Sequence, residues 1–96
     1  MIIRYSPVFL RTLKKLDVRI RKSFKERILI FSKNPNDLEL YNHPFHEPYL
    51  GLRSIDITSD WRAIYEDKNE GEEKVALFVL IGTHDQLYGK GRKLLN

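Results

Sequence analysis

Residues 52–81, LRSIDITSDWRAIYEDKNEGEEKVALFVLI, decide the fold. Leu52 to Ile57 alternates, with Ile55 and Ile57 on one side and Ser54 and Asp56 on the other, as a half-buried strand requires. Thr58-Ser59-Asp60 is a tight turn, and Trp61 to Glu66 returns as the partner strand. Asp67 to Glu73 reads as a polar hairpin loop. Val75 to Ile81 is apolar on both sides, so it is expected to be the central or best-covered strand.

Upstream, Ile2-Ile3-Arg4-Tyr5 is a short β-branched and aromatic strand. Ser6-Pro7 supplies an N-cap and a first-turn proline for a helix carrying Val8, Phe9, Leu13 and Leu16. Asp17 caps a second helix in which Ile20, Phe24, Ile28 and Phe31 share one face. Asn34-Pro35-Asn36-Asp37 ends it. Leu38 to Gly51, with His43-Pro44 and Glu47-Pro48, is a connection that excludes regular helix. Downstream, Gly82-Thr83-His84 leads into a helical turn at Asp85 to Tyr88, and Gly89 and Gly91 loosen a basic tail. The expected order is β-α-α-β-β-β(-α). It describes an α+β domain with a helical hairpin on one face of a small, curled, mostly antiparallel sheet. The other face is left partly open.

With 96 residues the chain makes one domain, residues 1–96. Apolar residues at 42% and charged residues at 31% are globular proportions. The absence of cysteine excludes a disulfide framework, a thiolate nucleophile and sulfur-based zinc sites. No apolar run has the length of a membrane span and no signal-peptide pattern opens the chain, so the cytoplasm, with no membrane partner, is the expected compartment. The net charge of +4 is uneven. Residues 1–34 hold ten Lys/Arg against Asp17 and Glu26, a balance of +8, and the remainder balances at −4. A basic half suits nucleic acid or an acidic partner; scattered lysines on a solvated helix face are the plainer reading.

Three histidines are present, His43, His46 and His84. His43 precedes one end of the meander and His84 follows the other, so the two can converge, with Asp56, Asp60 and Arg62 near the same turn. Histidine is the natural proton-transfer group near neutral pH, and arginine stabilises developing negative charge. Structural roles compete for each residue. His43 can satisfy a loop backbone group, and His84 or Thr83 can cap the last helical turn. Asp60 can serve the turn alone, Trp61 and Tyr65 can pack the sheet, and Arg62 can pair on an edge strand. No HxxxH or HxH spacing suggests a metal, and neither a phosphate-binding glycine loop nor GxSxG occurs. No metal or cofactor is expected.

The motifs His43-Pro44, Gly51-Leu52-Arg53, Asp60-Trp61-Arg62-Ala63-Ile64-Tyr65 and Gly82-Thr83-His84-Asp85-Gln86-Leu87-Tyr88 resemble those of the RelE/ParE superfamily. Within it the resemblance is strongest to YafQ-like toxins of bacterial type II toxin–antitoxin systems. It implies a RelE-like fold and a ribosome-dependent mRNA endoribonuclease that works without metal. The partners it implies are a neutralising cognate antitoxin, the ribosome and mRNA, with operator DNA met only through the antitoxin complex. By the same resemblance His84 is the general acid with Asp60 positioning it, and His43 or Asp56 is the base. Arg62 stabilises phosphate, while Trp61 and Tyr88 stack on RNA bases. Arg53 and the helical cations Lys14, Lys15, Arg21, Lys22 and Lys25 are expected to contact RNA. Two positions depart from YafQ-like members, which carry histidine at Asp56 and arginine at Leu80. They keep open a catalytically degenerate toxin acting only in an antitoxin–operator complex. The other alternative is a ParE-like gyrase inhibitor, which shares the fold without enzymatic activity; members of that type generally lack the clustered histidines, so His43 and His84 favour the nuclease.

Overall fold

The computed structural model describes residues 1–45 and 51–88. Its elements are β1 (Ile2–Tyr5), α1 (Pro7–Lys15), α2 (Val18–Lys33), a 3-10 turn (Leu38–Leu40), β2 (His43–Pro44), β3 (Leu52–Asp56), β4 (Trp61–Glu70), β5 (Glu73–Thr83) and α3 (His84–Tyr88). The sheet order is β1-β5-β4-β3-β2; β1 and β5 run parallel and every other pair is antiparallel. The α+β architecture and the helical hairpin are as expected.

Both helix starts follow from short polar side chains. Ser6 Oγ accepts from the Phe9 N–H at 3.1 Å, and Asp17 Oδ1 accepts from the Arg19 N–H at 2.7 Å. Each satisfies a donor that the first turn leaves unpaired. The helices bury Phe9, Phe24 and Phe31 against Tyr65, Ala76 and Phe78 on one face of the sheet. Burial of these rings is the main force holding the helical layer down.

Three features differ from expectation. His43 and Pro44 are not mere connection; they form β2, an edge strand, with His43 opposite Ser54 and Pro44 opposite Arg53. Proline is tolerated there because an edge leaves one side of the ladder unpaired. The polar run 67–73 is mostly strand, since Asp67 to Glu70 pair with Glu73 to Ala76 around a turn whose Gly71 has φ 61°. Solvated strand ends need no apolar residues, so composition alone misplaced the loop. The open face, finally, carries a second apolar cluster of Phe45, Ile64, Leu80 and Leu87.

That cluster depends on an irregularity in the β4–β5 ladder. Ile64 pairs with Leu80 but Tyr65 pairs with Phe78, leaving Val79 as the extra residue. A bulge reverses the alternation beyond it. Phe78 therefore faces the helices while Leu80 faces the opposite side. Among the described residues no helix is long and apolar enough to cross a membrane. His46 and the glycine-containing tail from Gly89 lie outside the described residues.

Candidate active site

The sheet face away from the helices carries a cleft of about 290 Å³ lined by Tyr41, His43, Arg62, His84 and Tyr88. Strand register builds it. β2 places His43 opposite Ser54, β3 and β4 place Asp56 opposite Arg62, and Arg62 in turn lies opposite Gly82 at the end of β5. His84 opens α3 directly after that strand. The Gln86 N–H donates to Thr83 Oγ1 at 3.2 Å and the Thr83 N–H donates to Gln86 Oε1 at 2.9 Å, a reciprocal capping box. The His84 N–H donates to the Asp60 carbonyl at 2.9 Å, which ties α3 to the β3–β4 turn.

His43 is held in a defined protonation geometry. Its Nδ1 lies 2.7 Å from the Tyr41 carbonyl, which can only accept, so Nδ1 carries the proton and neutral His43 keeps its lone pair on Nε2. The preceding residue is anchored as well. The Asn42 amide donates to the Pro35 carbonyl and the Tyr65 hydroxyl, and its oxygen accepts from Arg53 Nε. Opposite, the His84 ring stacks on Tyr88 with centroids 4.6 Å apart. Its side chain is 57% exposed. Burial pushes the Tyr88 phenol above its ordinary pKa, with the neighbouring Ser54 hydroxyl and the Arg62 charge opposing. The phenol therefore stays a neutral hydrogen-bonding group.

Arg62 and Asp56 form the charged end of the cleft. Arg62 Nε lies 3.0 Å from Asp56 Oδ1, with side chains only 16% and 28% exposed. Arg62 Nη1 also donates to the carbonyls of Thr58 and Trp61, and Nη2 to that of Ser59, each at 3.1 Å. Three of the five guanidinium N–H donors are used in these bonds; Nε faces Asp56 as an ion pair without hydrogen-bond geometry, and one N–H on Nη2 takes part in none of them. Burial raises the Asp56 pKa, and Arg62, then His43 and Arg27, pull it back down.

Arg62→Met removes the strongest of these attractions, so the Asp56 pKa is expected to rise further. A carboxyl whose folded pKa lies above its ordinary 3.8 contributes stability that is complete below that value and is lost as pH rises through the folded pKa. The variant should move this loss to higher pH. At neutral pH it should cost about 1–3 kcal/mol through unpaired carbonyls and carboxylate. Urea unfolding across pH measures both effects; equal stability of the two proteins at every pH would refute the clamp.

The structure thus brings together His43, His84, Arg62, Asp56 and Tyr88. Strict alternation puts Arg62 on the side of Ile64, and that side proves to be the cleft side, because Ile64 packs with Phe45, Leu80 and Leu87 rather than beneath the helices. Arg62 lies on an inner strand, not an edge. Asp60 meets His84 through its backbone carbonyl, and its exposed residue sits in the turn. Trp61 packs half-buried with the helix-side core, on the opposite face. Arg53 lies on that opposite face too, bonded to Asn42 and bordering a hollow with Tyr65 and Asp67. Lys14, Lys15, Arg21, Lys22 and Lys25 are exposed on the helical layer, across the sheet from the cleft. Leu80, 6% exposed, helps form the apolar cluster beneath it. Tyr41 and Ser54 belong to the site without any sequence signal that singled them out.

The chain's relatives accord with this architecture. In fold it is similar to YafQ from E. coli, at 25% identity and TM-score 0.72, covering 91% of this chain and 97% of that one. The E. coli DinJ–YafQ complex gives 27% identity and TM-score 0.60 over the same shares. The toxin–antitoxin complex RelBE2 from Mycobacterium tuberculosis gives 19% and 0.69, covering 86% of this chain and 96% of that one, a likeness of fold alone. No curated protein sequence matches. The family model described as the ParE toxin of the type II toxin–antitoxin system, parDE, matches residues 3–88. Because that match spans nearly the whole chain, the protein belongs to the ParE toxin family, within the RelE/ParE superfamily of type II toxin–antitoxin toxins and with YafQ-like relatives.

Proposed function

We propose that this toxin is a ribosome-dependent endoribonuclease that cuts mRNA by metal-independent acid–base chemistry. The observation that carries the reading is the pairing of His43 and His84 across one cleft beside Arg62. His43 Nε2 takes the proton of a ribose 2′-hydroxyl, and that oxygen attacks the adjacent phosphorus. The bond to the 5′-oxygen breaks, and protonated His84 gives that oxygen its proton. The products are a 2′,3′-cyclic phosphate and a 5′-hydroxyl. Arg62 offsets the charge added to the phosphorus oxygens with its remaining N–H. Asp56, paired with Arg62, orients it, which leaves His43 the better base.

The exposed cations of the two helices would engage ribosomal RNA phosphates, with affinity falling steeply as salt rises. A cognate antitoxin would neutralise the protein, as the DinJ–YafQ and RelBE2 complexes suggest by analogy. Operator DNA would be met through that complex. A second reading is favoured by the family description itself: a ParE-like protein that inhibits gyrase without cutting RNA. The sparing contribution left to Arg62 agrees with it. Purified protein on programmed, translating ribosomes should produce discrete cuts that naked mRNA does not show, and gyrase supercoiling should be unaffected. Gyrase inhibition without cuts selects the second reading, and neither activity leaves a degenerate toxin.

A further inference from the structure

Tyr41 is a large aromatic residue kept at the surface, 64% exposed. Among the described residues it is the one non-glycine position with positive φ, at φ 47° and ψ 50°. Its Cβ crowds the following carbonyl there, and glycine adopts this geometry at lower cost. Neither burial nor backbone preference accounts for tyrosine at this point. The cleft does. The Tyr41 carbonyl accepts from His43 Nδ1, and its ring lies 4.6 Å from the imidazole at 40°. The same ring borders the cleft with Arg62, His84 and Tyr88. His84 and Tyr88 repeat the pairing opposite, also at 4.6 Å. Tyr41 is close enough to Tyr88 to add to the upward push on its phenol.

We propose that Tyr41 is a nucleic-acid contact of this cleft, its ring forming the stacking surface for one unpaired RNA base beside the phosphate that lies between the two histidines. The inference rests on the cleft being an RNA site, as proposed above, but not on cleavage. The ring meets His43 at a tilt, and with 64% of the residue exposed it remains accessible to a base. Such a surface suits single-stranded RNA, whose bases can splay out, rather than a stacked duplex. The left-handed backbone holds the ring and imidazole in one register, and its strain is a cost that a binding role explains.

The test titrates a short single-stranded oligoribonucleotide, made uncleavable by a 2′-deoxy sugar, into the ¹⁵N-labelled protein, with Tyr41→Gly and Tyr41→Phe alongside. Tyr41→Gly should weaken binding about tenfold or more. Its thermal midpoint should be unchanged or higher, because glycine relieves the positive φ. Tyr41→Phe should bind within about twofold of the parent, since the π face is retained. Equal binding by Tyr41→Gly, equal loss in both variants, or no shift at the cleft of the parent would each overturn the inference. Binding through Tyr41 by a protein that makes no cuts on ribosomes would sustain it while removing the nuclease reading.

Discussion

His84→Ala is expected to lower mRNA cleavage on translating ribosomes by on the order of 10²- to 10⁴-fold while leaving the fold intact. The size of the effect follows from the role, because the 5′-oxygen is a poor leaving group unless it is protonated as the bond breaks. The sparing of the fold follows from the geometry. The capping box that starts α3 belongs to Thr83 and Gln86, and the link to the β3–β4 turn uses the His84 backbone N–H. Alanine keeps both. The imidazole itself is 57% exposed, so its removal opens no cavity. Loss of a general acid also removes the limb of the pH–rate profile that falls at high pH. Single-turnover rates across pH, with a thermal melt of the same samples, measure all three consequences. Near-normal cleavage by a folded variant would exclude His84 from the chemistry.

Phe78→Ala is expected to destabilise the protein by about 3–5 kcal/mol. Phe78 is fully buried on β5, between the parallel strand β1 and the antiparallel strand β4. The rings of Tyr5, Phe9, Phe24, Phe31 and Tyr65 surround it with centroids 5.2–6.0 Å away. Phe24 and Phe31 meet it edge to face, a geometry that adds to simple burial. The helices pack on the sheet through this cluster, so a cavity there loosens both layers at once. A domain of this size has about 5–15 kcal/mol in total, and the variant should unfold at far lower urea. Leu29→Ala on the exposed side of α2 is the control, expected within about 0.5 kcal/mol of the parent. Equal midpoints for Phe78→Ala and the parent would refute this account of the core.

What the sequence made legible was local chemistry. Ser6, Asp17 and Thr83 act as caps in the structure because a short polar side chain before a helical pattern has few other uses. The convergence of His43 and His84 was legible because a meander can return both of its termini to the same end of the sheet. The bulge at Val79 was not: nothing in a continuous apolar run marks where alternation reverses, and only that reversal puts Leu80 on the cleft side. β2 was missed because two residues containing a proline carry no strand pattern. Trp61 and Arg62 are adjacent, so they take opposite faces, and a motif that names both cannot place both in one cleft. Tyr41 was invisible for a simpler reason, since a left-handed backbone is not signalled by a tyrosine.

The central claim is that the cleft works through a ribose 2′-hydroxyl activated by His43. The most direct measurement programmes ribosomes with an mRNA carrying a single 2′-deoxy sugar at a mapped cleavage position and compares it with the all-ribose message. The account predicts that the ribose message is cut to a 2′,3′-cyclic phosphate and a 5′-hydroxyl, and that the deoxy message is not cut at that position. Cleavage of the deoxy message at the same bond would contradict it, because the attacking oxygen would then have to come from somewhere other than the RNA.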